Sequence, residues 1–150
     1  ISITRDFPHH QFGWLMLGIL LTKSERHLDA LNAYKIANSL IPQSASVLNN
    51  MGVTYKKLGR LKEAETSFNQ AITLMPNFAE AHSNLGVVFQ ELGRLEDSKV
   101  SLTKAIALMP NFMDAARNLV KLPVGQVDSH ALNLCEKAVG TSDNSLEHQI

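Results

Sequence analysis

Leu74-Met75-Pro76-Asn77-Phe78 recurs as Leu108-Met109-Pro110-Asn111-Phe112, and Leu58-Gly59-Arg60-Leu61 recurs as Leu92-Gly93-Arg94-Leu95, both at an interval of 34 residues. Pro42, Pro76 and Pro110 keep the same interval. Laid over one another, residues 45–78 and 79–112 agree at 16 of 34 positions. Chance would give about two, so the chain was built by duplication.

Within each unit the apolar residues follow a helical period. Leu48, Met51, Gly52 and Tyr55 fall at i, i+3, i+4 and i+7, one stripe of a first helix. Gly59 follows, a residue able to take the left-handed conformation that ends a helix. Leu61, Ala64, Phe68, Ala71 and Ile72 mark a second helix, and Pro76 stands where it cannot continue. Each unit is therefore read as a helix–turn–helix. A lone pair of short helices cannot bury its apolar stripe, so successive pairs must stack.

The units resemble tetratricopeptide repeats, whose pattern is W-x2-L-G-x2-Y, then A-x3-F, A and P. Residues 11–44 carry Trp14, Leu17, Gly18, Leu21, Ala30, Tyr34, Ala37 and Pro42. Residues 45–78 carry Leu48, Met51, Gly52, Tyr55, Ala64, Phe68, Ala71 and Pro76. Residues 79–112 carry His82, Leu85, Gly86, Phe89, Ser98, Leu102, Ala105 and Pro110. A degenerate fourth unit, 113–139, keeps Ala116 and Leu119, but Val120 replaces the small residue and Pro123 shortens the first helix. Its second helix would start at an Asp128 or Ser129 cap, with Ala131, Cys135 and Ala138 repeating the small–large–small spacing. Residues 1–10 form an N-terminal extension, and 140–150 a tail or the start of a further helix. The resemblance implies an all-α, right-handed solenoid whose first helices line a concave face.

Composition narrows the function. Fourteen Lys and Arg balance fourteen Asp and Glu, which argues against nucleic acid, since that binding needs a basic surface. The same balance leaves a polybasic membrane anchor unsupported. The longest apolar run, Phe12 to Leu21, is shorter than the roughly 18 residues of a spanning helix. Trp14-x2-Leu17-Gly18 makes it a first helix and not a leader peptide. One cysteine, Cys135, closes no internal disulfide, so an intracellular setting, cytoplasmic by preference, is expected. The chain opens on Ile1 and closes without a helix terminator, as a piece of something longer would.

No catalytic signature is present: G-x-S-x-G, H-E-x-x-H, the P-loop and G-x-G-x-x-G are all missing. His82 takes the Trp position of its repeat, His9 and His10 lack a third ligand, and Cys135 sits at a core-facing position. Glu63, Glu65, Glu96 and Asp97 begin second helices, where carboxylates suit the positive helix end. Neither an enzyme nor a cofactor site is expected.

By resemblance, the inward positions of the first helices are the site. They include Asn49, Asn50 and Lys57, then Ser83 and Asn84, then Arg117 and Asn118. Asn50, Asn84 and Asn118 recur at the sixth position of their units. Asn inside a helix is worth about 0.5 kcal/mol less than Ala, so three in phase ask for a reason. Duplication alone also carries residues along, as Asn77 and Asn111 show, but Asn118 persists in a unit that has otherwise drifted. An amide offers donor and acceptor together and can bracket the backbone of an extended peptide. Such a ladder is similar to the superhelix of O-linked N-acetylglucosamine transferases, where it holds substrate chains. The carboxylate clamp of chaperone-tail binders is matched poorly: Leu15, Ile19, Asn50, Glu80 and Asn84 stand where Lys, Asn, Asn, Lys and Arg are needed.

The first repeat differs. Phe12, Leu15, Met16 and Ile19 would make an apolar patch, to be covered by residues 1–10, by an upstream repeat or by another copy. The leading expectation is a scaffold that binds a protein or peptide segment. The rivals are the substrate-recruiting part of a larger glycosyltransferase or sulfotransferase, and a self-assembly module acting through the first repeat.

Overall fold

A computed structural model describes residues 9–123, 125 and 127–143, with side chains given up to residue 140. The extension up to residue 8 and the tail past 143 lie outside the described residues. All regular structure among them is helical: α1 (Gln11–Lys23), α2 (His27–Leu40), α3 (Ala45–Lys57), α4 (Leu61–Leu74), α5 (Ala79–Glu91), α6 (Leu95–Leu108), α7 (Met113–Val120) and α8 (Ser129–Asp143). They divide into two compact units, one up to Pro76 and one from Asn77 onward.

In the first unit α1 packs on α2, α3 on α4, and α3 on α2. Glycine makes the close pairing of first with second helices feasible. A Cβ on Gly52 would lie 2.6 Å from Phe68 Cε1, and one on Gly18 would run into the Tyr34 ring. Phe68 and Tyr34 fill the space thus left and are almost wholly buried, beside Ala30, Ala37, Ala64 and Ala71. The Tyr34 hydroxyl shares a hydrogen bond with Thr22 Oγ1 at 3.2 Å. Burial holds its pKa above the usual phenol value, against the opposing pull of that bond.

The turns show how side chains settle helix ends. Gly59 has φ 72°. Arg60 N–H donates to Tyr55 O and Gly59 N–H to Lys56 O, both at 2.9 Å, the paired bonds of a Schellman ending. Gly93 repeats this with φ 74°. In the first repeat the same place belongs to Glu25, whose φ is 58°. Arg26, Arg60 and Arg94 then precede the second helices and bind the first-turn carboxylates of Asp29, Glu63 and Asp97 at 2.7, 2.6 and 2.7 Å. Arg60 also lies over the Tyr55 ring at 4.9 Å and Arg94 over the Phe89 ring at 4.3 Å. Each of these two arginines thus fastens the end of one helix to the start of the next.

In the second unit α5 pairs with α6 around Gly86, whose absent side chain admits Leu102. Leu102, Ile106, Ala116, Leu119, Ala131 and Cys135 belong to one core shared by α6, α7 and α8. The α7 helix ends at Val120 after eight residues, three before Pro123. The cap of α8 is Asp128: its Oδ1 accepts from Ala131 N–H at 2.8 Å, while its Oδ2 meets Lys99 Nζ of α6, also at 2.8 Å. Lys99 and that backbone N–H hold the Asp128 carboxyl below its usual range, and Asp128 in turn raises Lys99. Cys135 is buried with its Sγ 3.7 Å from Ala116 O, and burial pushes the thiol up, as suits a packing residue.

Candidate functional site

First helices lie side by side within each unit, α1 beside α3 and α5 beside α7. Their register follows from the duplication, so matched positions present matched side chains. At the sixth position the series reads Met16, Asn50, Asn84, Asn118. All three asparagines are half-buried, part seated in the helix packing and part open to solvent. Asn118 Oδ1 accepts from Lys121 Nζ at 3.4 Å. Gln90 Nε2 of α5 donates to Asn118 O of α7 at 2.8 Å, a direct bridge between the two first helices of the second unit.

Asn49 and Ser83 occupy a different environment. Each is only 5% exposed, so they serve the packing of their helices and offer little surface to a partner. Lys57 is exposed at the end of α3. Arg117 is exposed too, and its guanidinium is drawn to Asp114 at 3.0 Å on its own helix. The open surface of the first helices, each unit taken by itself, therefore offers half-buried amides beside solvated charges, Lys57 in the first unit and Glu80, Asp114 and Arg117 in the second. Such a surface can donate to carbonyls and accept from N–H groups without demanding a charged ligand. Among the described residues, no group of three His, Cys, Asp or Glu side chains is placed to hold a metal ion.

In the first repeat Phe12 is 61% exposed and Met16 is also open, while Leu15 and Ile19 are half-buried. Leu20, which the sequence reading did not single out, belongs to the exposed apolar set as well. Its signal was a large aliphatic residue at the position where the next repeat has Thr54.

The tetratricopeptide pattern matches residues 55–93, as a TPR repeat, and residues 79–112, as a tetratricopeptide repeat. No curated protein matches the sequence significantly. Among solved structures, one described as the crystal structure of MamA superposes with a TM-score of 0.84 at 20% identity, covering 98% of this chain and 86% of its own. The first TPR of Spaghetti (RPAP3), bound to the HSP90 peptide SRMEEVD, superposes at 0.73 and 23% identity, over 75% of this chain and 89% of its own. The Arabidopsis OM64 TPR domain does so at 0.73 and 20% identity, over 75% and 93%. The repeat patterns, the paired helices and these likenesses agree: residues 55–112 are tetratricopeptide repeats, and the chain is an all-α protein of stacked helix–turn–helix units.

Proposed function

We propose that this chain is a protein-binding scaffold whose first helices receive an extended peptide segment, with Asn50, Asn84 and Asn118 as its main-chain contacts. One observation carries the reading: the same half-buried amide recurs in register in three repeats. The last of these has lost the glycine of its first helix, replaced by Val120, and that helix runs only eight residues. Under relaxed selection for packing alone, an Asn of low helix propensity would be an early casualty. A binding role accounts for its retention.

The RPAP3 neighbour, a TPR domain holding an HSP90 peptide, supports peptides as the ligand class. The acidic end of that peptide is a poor match for this chain. Leu15 and Ile19 are apolar and Glu80 is exposed and anionic at positions where a carboxylate clamp needs cations or amides. The ligand suited to these side chains is an extended segment without a terminal acidic cluster, recognised through its backbone.

The test is selection of binders from a displayed random peptide library, followed by calorimetry on the triple variant Asn50→Ala, Asn84→Ala, Asn118→Ala. Affinity should fall at least tenfold, about 1.4 kcal/mol, with helicity retained. An unchanged Kd would remove the asparagines from the site.

A further inference from the structure

One side chain of α2 departs from the repeat in kind. Ile72 and Ile106 hold the same phase in the next two units, and Ile106 is 1% exposed in the core. The first unit has Asn38 there, in the last turn of α2. Its Oδ1 is buried and meets no partner among the described residues. A buried carbonyl without a donor costs stability, and an aliphatic side chain at the same point avoids that cost. An amide at an aliphatic position therefore asks for a donor that the helix packing does not supply. Ser98 has an orphaned hydroxyl as well, but it is sealed inside the packing. Asn38 is half-buried and borders a hollow.

That hollow measures about 290 Å3 and is lined by Asn38, Pro42, Leu48, Gln70, Thr73 and Leu74. Its wall is drawn from the C-terminal halves of α2 and α4, from α3 and from the turn after α2, all inside the first unit. Pro42, Leu48 and Leu74 supply apolar surface. Asn38 and Gln70 each bring a donor and an acceptor. Thr73 Oγ1 donates to Asn69 O at 2.9 Å and keeps its lone pairs for an incoming N–H. Among the described residues no charged side chain lines the hollow, so an ion entering it would shed water without meeting a counter-charge. The later repeats have Lys104 and Ala107 in phase with Gln70 and Thr73. The polar set is thus particular to this unit and not a by-product of duplication.

We propose that this hollow binds a small uncharged carboxamide carried on an apolar body. The amide N–H groups of such a ligand meet Asn38 and Thr73, its carbonyl meets Gln70, and its body rests on Pro42, Leu48 and Leu74. The site uses none of Asn50, Asn84 and Asn118, and so stands or falls apart from the peptide reading.

The experiment is an NMR titration of the 150-residue chain with three molecules of one shape and different charge: benzamide, benzoate and benzamidine. Benzamide should shift the Asn38 and Gln70 side-chain NH2 signals along one saturation curve. Benzoate and benzamidine should bind more weakly by about tenfold or more. Asn38→Ile, which installs the residue of the other repeats, should abolish the shift at Gln70 and raise Tm by about 2–4 °C, so that loss of the site is told apart from loss of the fold. Gln70→Ala, at an exposed position, should weaken benzamide with Tm unchanged. The absence of a saturable benzamide shift, which leaves the hollow to water, overturns the proposal. So does equal binding of the charged molecules, or an unchanged benzamide affinity in either variant.

Discussion

The first and second repeats share a backbone plan and differ in almost everything displayed on it. Both seat an aromatic ring over a glycine, Tyr34 over Gly18 and Phe68 over Gly52. Both end the first helix with a residue at positive φ, yet one uses Glu25 and the other Gly59. At matched positions of the first helix Phe12, Met16 and Leu20 stand against Ser46, Asn50 and Thr54. A few packing positions therefore hold the fold, which leaves the remainder of each first helix free to be apolar in one repeat and amide-bearing in the next.

The shared part of the comparison breaks most sharply at the glycines. Gly52→Ala sets a methyl group 2.6 Å from Phe68, and should cost about 1–3 kcal/mol in urea denaturation by overpacking. Gly140, with nothing within 4 Å of its added Cβ, should instead gain about 0.5–1 kcal/mol on replacement by Ala inside α8. Equal effects at the two sites would refute the packing argument.

The turn is where the two repeats can be exchanged. A left-handed non-glycine residue costs roughly 1–2 kcal/mol, so Gly59→Glu should destabilise by that order. Glu25→Gly should stabilise by somewhat less, because glycine also loosens the unfolded chain. Opposite signs in thermal melts of the two variants are the expected result.

Extending the comparison to the third repeat gives a smaller effect. Ser98 stands where the second repeat has Ala64, and its buried Oγ finds no partner among the described residues. Ser98→Ala should therefore raise stability by about 1 kcal/mol, the penalty of an unsatisfied buried hydroxyl.

Weakest is the pH dependence of the fourth repeat. Asp128 has its pKa lowered by Lys99 and the Ala131 N–H. Its contribution is present above the ordinary carboxylate pKa and is lost as pH falls through the lowered value. Lys99, raised by Asp128, contributes below the ordinary lysine pKa and loses its effect as pH climbs through the raised value. Signals from α8 should hold steady at neutral pH, then broaden in strong acid. Asp128→Asn should blunt that acid response, and added salt should weaken the pair since both groups meet solvent.

The paired helices and their stacking were legible because duplication writes them twice: glycine, aromatic and proline fall at fixed phase, and each has one mechanical reason to be there. Glu25 was not legible from its type, since glutamate carries no left-handed preference; only its phase with Gly59 betrays the turn. The arginine bridges were hidden for a similar reason, as Arg60 over Tyr55 depends on a turn geometry that no local pattern states. The candidate site was legible only in part. Asn49 and Asn50 are neighbours in sequence, but a helix rotates about 100° per residue, and this turns the first into the packing and leaves the second half open. Sequence gives the polar pair; only the position of the neighbouring helices decides which member can meet a partner.

The claim that matters most is that the in-phase amides contact a peptide. Titrating a library-selected peptide into labelled protein and following the side-chain NH2 resonances by NMR tests it directly. The account predicts that the Asn50, Asn84 and Asn118 side-chain signals shift together with one saturation curve, while those of Asn32 and Asn69 on second helices stay in place. Shifts confined to second helices, with the three amides unmoved at saturation, would contradict it.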